Sequence, residues 1–379
     1  MEFNLNQYLI DLKHIVNIDS GTTNIEGNYK IAHFFQEKFE KEGFKTKLYS
    51  LGEEKRPLLS ATYSPISSNN TYDFFMVGHI DTVFPDGTAT VRPFTIEGDK
   101  AFGPGTIDMK SGALLIFYIA KFIKNRYPDI SLSIALNSDE EIGSKDSKDT
   151  LIRLGSLCQR CLIFEGGRKK GQFVYERKGI AKFKIQVSGM AAHSGTAPKE
   201  GANAIVQLAH IVTRIDKLNN YEKGTSVNVG IINGGKALNI IPDNCEALVE
   251  VRYWEERQLN QILESFSIFE KYPYVDRTIS HIDLISHYPP LLCNKTTVNF
   301  ISQLRDFGSK NGYTIEFVRA GGVSDGNRLA TLGIPIIDGC GPSGGFPHSD
   351  KEFLSIKTVE KRFKLITDMI KYVNLISKK

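Results

Sequence analysis

Apolar positions along this chain recur with two periods. In MEFNLNQYLIDLKHIV, Leu5, Tyr8, Leu9, Leu12 and Val16 return at helical spacing with acidic residues between them, which predicts an amphipathic helix and not an export signal. Short apolar runs, DFFMVGH (73–79), LSIALNS (132–138) and CLIFE (161–165), read as strands, and helical patterns over 27–42 and 111–126 alternate with them. This alternation predicts an α/β domain with a mixed, largely parallel sheet flanked by helices. ALLIFYIAKFI is too short and too interrupted by lysine to span a bilayer, and fits a helix buried against that sheet.

The pattern changes in the middle of the chain. GIAKFKIQVSG (179–189) alternates as a half-buried strand, and KEGANAIVQLAHIVTRIDKL (199–218) is an amphipathic helix. The strands TSVNVGIING and CEALVEVRYW follow, then the helix EERQLNQILESFSIFEKY and the strand-like RTISHIDLIS. In order these form β-α-β-β-α-β, a ferredoxin-like α+β unit over 179–288. Strand signals resume at IEFV (315–318) and IPIID (334–338), and a long helix over 355–376 closes the chain. The unit is therefore expected to be inserted into a first domain made of 1–178 and 289–379.

A length of 379 residues accommodates two such cores. The net charge of +4 without a block of like charges argues against a nucleic-acid partner, and the hydropathy pattern argues against a membrane one. Five cysteines, an odd number, point to reduced thiols and a cytoplasmic protein. Cys158 and Cys161 form a CxxC, but no second pair follows at zinc-site spacing, so both are expected at a buried strand edge.

Ligand sites in parallel sheets lie beyond the carboxyl ends of the strands, and all three strand runs end in polar residues there. GHIDTVFP places His79 and Asp81 two apart, where a histidine can give its second ring N–H to a carboxylate. In isolation the pair reads equally well as a surface turn. GPGTIDMKSGA sets Asp108 just before a helix, where it can cap the helix or bridge two cations. NSDEEIGS crowds Asp139, Glu140 and Glu141 at one strand end; a helix-start preference for acids explains one or two of them. Their coincidence with His79, Asp81, Asp108 and Glu165 at neighbouring strand ends suggests a dinuclear metal centre with a free carboxylate as proton acceptor. His348, in the Gly/Pro-rich GCGPSGGFPHSDKEF, is the last ligand candidate. Histidines and carboxylates without cysteine suit zinc, cobalt or manganese.

With these motifs together, the chain resembles the di-zinc metallopeptidase family that contains glutamate carboxypeptidase, aminoacylase and succinyl-diaminopimelate desuccinylase. GHIDTVFP, AFGPGTIDMKSG, NSDEEIGS, FEGG, ERKGIAKFKIQVSGMAAHSG, LNIIPD, GGVSDGN and PHSDKEF carry the resemblance in family order. GHIDTVFPDGTATVRPF, VYERKG and TSVNVGIINGG bring it nearest to the glutamate carboxypeptidase branch. The resemblance implies a zinc-peptidase-like catalytic domain and a lid and dimerisation domain, a homodimer, and two divalent metal ions, zinc foremost. It implies that His79 and Glu165 hold one metal, that Glu141 and His348 hold the other, and that Asp108, with a cis peptide bond to Met109, bridges them. It further implies that Glu140 is the general base and that Asp81 orients His79. His193 would stabilise an oxyanion from across a dimer interface, Asn239 and Arg252 would contact substrate, and Gly322 would lie in a substrate-binding loop.

The activity so implied is hydrolysis of an amide in a small peptide or N-acyl amino acid, releasing a C-terminal amino acid. Glutamate in FEGG is the family's choice in carboxypeptidases and acylases, where aminopeptidases usually have aspartate. Glutamate-specific relatives carry an arginine near the end of the lid, where this chain reads ISHYPP with Tyr288, so the resemblance stops short of that specificity. An N-acyl-amino-acid amidohydrolase or dipeptidase shares every ligand, and a non-catalytic dimeric metal-binding module would be expected to lack Glu140.

Overall fold

A computed structural model describes residues 3–64, 71–168 and 170–377 of the chain. The chain divides into two units. The first comprises 1–176, 293–319 and 324–379, and the second 177–292 with 320–323.

The central sheet of the first unit has six strands, in the spatial order Lys45–Leu51, Arg56–Tyr63, Leu132–Asn137, Phe74–His79, Cys161–Ile163 and Ile336–Ile337. The first two pairings are antiparallel and the remaining three parallel, which gives the mixed sheet that the apolar runs imply. Every residue of Phe74–His79 and Leu132–Asn137 is buried, as expected where helices cover both faces. One of those helices is Ser111–Arg126, whose Leu114, Leu115, Ile116, Ile119 and Ile123 are all buried. The first helix, Leu5–Val16, buries Tyr8, Leu12, Ile15 and Val16, the stripe legible in its sequence. The first two residues of the quoted N-terminal run lie outside the described residues. Among the described residues no helix is long and apolar enough to cross a membrane.

Register decides what the strand ends present. His79 pairs with Asn137, and Val77 with Ile163, in adjacent parallel ladders. The residues that follow these strands therefore emerge side by side. A third segment is drawn in by close packing: a Cβ on Gly112 would lie 2.0 Å from the carbonyl oxygen of Phe164, so only glycine lets the helix start approach that strand end.

The second unit folds as the ferredoxin-like pattern requires. Its strands Gly179–Ser188, Ser226–Gly234, Asn244–Tyr253 and Ile279–Tyr288 form one antiparallel sheet, ordered second, third, first, fourth. The helices Ala204–Asp216 and Glu256–Lys271 supply its core with Leu208, Ile211, Leu259, Ile262 and Phe266. A wider boundary than strand patterning suggests arises because Arg177 and Leu291 exchange backbone hydrogen bonds just outside the first and last strands. Residues 320–323 also belong to this unit. Arg252 donates to the Gly321 carbonyl at 2.8 Å and Arg177 to that of Gly322 at 3.0 Å, long-range contacts with no local pattern in the sequence.

Candidate metal centre

Seven of the side chains expected at the site converge at the carboxyl edge of the first unit's sheet. His79, the last residue of its strand, is 1% exposed, and its Nε2 lies 3.3 Å from Oδ1 of Asp108 and 3.7 Å from Oε1 of Glu165. On the other oxygen of Asp108, Nε2 of His348 approaches to 3.0 Å, and it is also 3.4 Å from Oε2 of Glu141. Asp108 thus faces a different histidine with each oxygen. Its peptide bond to Met109 is cis. Ligand-type atoms of His79, Asp108 and Glu141 lie within 4.8 Å of one another, as do those of His79, Glu140 and Glu165.

Asp81 is fully buried and acts as a hub. Its carboxylate lies 3.3 Å from Nδ1 of His79 and accepts the backbone N–H groups of Glu140 and Glu141, each at 3.3 Å. Thr22, remote in sequence, donates its hydroxyl to the same carboxylate at 2.7 Å. One anion thereby sets the orientation of the histidine and anchors the start of the short helical turn Glu140–Ile142.

Crowding of like charge shows in the titration of these groups. Burial, offset in part by His79, pushes Glu140 well above the usual carboxylate range, and the charges of Glu165, Asp325 and Glu141 push it further. Burial likewise raises Glu141, against a lowering contact from His348. The histidines respond in the opposite sense to burial alone. Asp108 and Glu141 hold His348 up at about 10, and His79 is raised by Asp108 and Asp81 despite its burial. Burial would raise Asp108 too, but the two histidines keep it below its ordinary value.

These residues fit divalent cations. Two histidines and three or more carboxylates are an oxygen and nitrogen donor set of the kind zinc, cobalt and manganese accept. An orphan supports the fit: Oε1 of Glu141 is buried and has no hydrogen-bond partner among the described residues, a costly state that a cation relieves.

Asp139, the third acid of the run, turns away from this cluster. Its Oδ2 accepts the backbone N–H groups of Asp146 at 2.8 Å and Ser147 at 3.0 Å, ahead of the helix Lys148–Gly155. Asp139→Ala leaves both donors without that acceptor, and a loss of about 1–3 kcal/mol in unfolding free energy is expected. Urea denaturation of the variant checks this, and an unchanged midpoint and slope would remove the anchoring role.

Sequence reading missed the supports of the Glu140–Glu141 turn. Ser144 and Asn137 both donate to Asp325, and Arg328 donates two guanidinium hydrogens to the carbonyl of Gly143. Asp325 belongs to GGVSDGN, a recognisable motif, yet nothing in its sequence says that it faces Ser144, 181 positions away.

The remaining candidates lie on the second unit. His193 is exposed, in a two-residue strand paired with Ile240 and Ile241. Backbone N–H groups of Gly195 and Thr196 donate to its Nδ1 at 3.1 and 3.2 Å, so the proton of the neutral ring sits on Nε2. Asn239 is adjacent, its carbonyl accepting from Ser194 N–H at 3.0 Å. Arg252 is held by Glu250 at 2.7 Å as well as by the Gly321 carbonyl. Tyr288 is 7% exposed, and its carbonyl accepts from the Tyr253 hydroxyl at 3.3 Å. The five cysteines are free, and Cys158 and Cys161 are buried.

The M20 peptidase dimerisation domain matches residues 175–268, which span most of the second unit. Carboxypeptidase G2 of Pseudomonas sp. (strain RS-16) is 28% identical over 370 residues, covering 95% of this chain and 87% of that protein. Over nearly its whole length the chain is thus similar to a carboxypeptidase, and its second unit matches the M20 dimerisation domain. These similarities mark it as a metallopeptidase-type hydrolase, and its fold is shared with solved peptidases. Aminopeptidase PepT from Bacillus cereus superposes with a TM-score of 0.79 at 21% identity, over 98% of this chain and 99% of its own. The M20 family metallo-carboxypeptidase Sso-CP2 from Sulfolobus solfataricus does so with a TM-score of 0.75 at 18% identity, over 96% and 98%.

Proposed function

We propose that this M20 chain is a carboxypeptidase-type amide hydrolase that releases a C-terminal amino acid from a small peptide or conjugate. The observation that carries the reading is the paired placement of Asp108 between His79 and His348, with Glu140 beside His79 and Glu165. Its similarity to carboxypeptidase G2 along nearly the whole chain supports the choice of substrate class.

His79 and Glu165 would hold one divalent cation and Glu141 and His348 the other, with Asp108 shared; zinc is the metal we assign. When bound, such a pair would supply positive charge that polarises the scissile carbonyl and makes the attacking water more acidic. Glu140 accepts the proton of the attacking water and returns it to the leaving amine. Asp81 keeps the His79 ring in place through Nδ1 and the glutamates through their backbone. His193, with its proton on Nε2, can donate to the developing oxyanion, and we assign this role in trans within a homodimer formed by the second unit. Arg252 offers a guanidinium fork for the substrate α-carboxylate, with Asn239 and the Gly322 segment completing the contact. Catalysis is assigned to the first unit and the lid role to the second, and free cysteines accord with the reducing cytoplasm.

Tyr288 favours a second reading. A buried tyrosine stands where glutamate-specific relatives carry a cation, so an N-acyl-amino-acid amidohydrolase or dipeptidase with an apolar side-chain preference uses the same centre. A panel of folyl-type glutamate conjugates, N-acyl amino acids and dipeptides, assayed with zinc-loaded protein, separates the two. Turnover of C-terminal amino-acid conjugates is the expected result. Rapid cleavage of acyl amino acids with none of the conjugates would replace the carboxypeptidase reading with the second one, and no amide hydrolysis at all would leave a metal-binding module. Light scattering tests the assembly: a strictly monomeric but active protein would exclude His193 acting in trans.

A further inference from the structure

Glu352 lies four residues beyond His348 and is completely buried. Its carboxylate serves a different segment of chain. Oε1 accepts the backbone N–H groups of Ile107 at 2.9 Å and Asp108 at 3.1 Å, and Oε2 accepts that of Gly105 at 3.2 Å. The loop so gripped is irregular: Gly105 has φ +76°, and Asp108 and Met109 have non-helical backbone angles. Glu352 is in turn tied to the segment of His348, because its own N–H donates to the carbonyl of Ser349 at 3.2 Å. One side chain therefore joins the two stretches that bring Asp108 and His348 to 3.0 Å of each other, although these residues are far apart in the chain.

We propose that Glu352 is a positioning residue of the metal centre, whose three backbone hydrogen bonds fix the Asp108 loop against the His348 segment so that the ligands are arranged before metal binds. This rests on the metal assignment made under Proposed function. Glutamate is suited to the task because its two carboxyl oxygens accept from all three backbone donors. Glutamine keeps the size but turns an N–H₂ group toward at least one of those N–H donors. Aspartate keeps the charge but is one methylene too short to reach all three.

Zinc affinity, measured by chelator competition on folded protein, tests the assignment, with the visible absorption of the cobalt-loaded form as a second readout of ligand geometry. Glu352→Gln is expected to raise the apparent zinc dissociation constant roughly 10- to 100-fold, the range typical of groups that support ligands, and to alter the cobalt spectrum. Glu352→Asp should show a smaller loss of the same kind. Asp73→Asn is the control for stability alone, since Asp73 accepts from the N–H and hydroxyl of Ser131, both at 2.8 Å, in the same unit. It should lower the melting temperature and leave zinc affinity at the wild-type value. A folded Glu352→Gln protein with wild-type affinity would overturn the proposal. So would equal loosening of metal by Asp73→Asn, or failure of both Glu352 variants to fold, which would assign the residue to stability. Wild-type protein that takes up no divalent metal would instead remove the metal assignment itself, and this proposal with it.

Discussion

Glu140→Gln is expected to yield a folded protein that retains two metal equivalents and loses about 10²- to 10⁴-fold in kcat, the usual contribution of a positioned general base. The expectation depends on dividing labour between two adjacent glutamates that geometry alone does not divide. Glu140 lies within 4.8 Å of His79 and Glu165, as a ligand could, and Glu141 stands in the same relation to His79 and Asp108. Two observations favour Glu141 as the ligand. It is close to both Asp108 and His348 through the latter's Nε2, and its second oxygen is buried without a partner. Metal analysis alongside kinetics resolves the assignment: loss of one metal equivalent in Glu140→Gln, with Glu141→Gln keeping both, would reverse the two roles. The amide is chosen over alanine because it preserves volume beside His79 while removing the group's capacity to accept and release a proton.

Asp108→Ala is expected to be more damaging still, with both metals lost at ordinary concentrations and hydrolysis below detection. Each oxygen of Asp108 addresses a different histidine, so its removal strips a donor from both halves of the centre at once. Loss of metal affinity should therefore exceed the roughly 10- to 100-fold that groups behind the ligands cause. Equilibrium dialysis at fixed free zinc measures this directly. Retention of one tightly held equivalent would mean that Asp108 serves a single ion, and the shared-ligand arrangement would be abandoned. Circular dichroism of the metal-free variant separates that result from unfolding.

Several parts of this molecule are local in origin and were legible in the chain. Phe74–His79, Leu132–Asn137 and Ser111–Arg126 appear where apolar runs place them, because burial on two faces requires uninterrupted apolar sequence. The ferredoxin-like order of the second unit follows from alternation in strands such as Gly179–Ser188, whose burial switches residue by residue over its outer half. Ligand-type residues at strand ends could be named because parallel sheets present their carboxyl ends to ligands, and the motifs carrying them match a family pattern.

Other features depend on pairs of residues that share no local signal. The backbone hydrogen bonds from Glu140 and Glu141 to Asp81, the donation from Thr22 to the same carboxylate, and the carboxylate of Glu352 under the Asp108 loop all join segments distant in sequence. Asp139 shows the limit most plainly. Its sequence context is that of its neighbours Glu140 and Glu141, yet its side chain turns to Asp146 and Ser147 while theirs face the histidines. By itself the sequence determined the elements and the inventory of candidate donors, since these follow from periodicity and residue chemistry. Only the tertiary structure decided which carboxylates point inward and what holds them there, because strand register and long-range hydrogen bonds set side-chain direction.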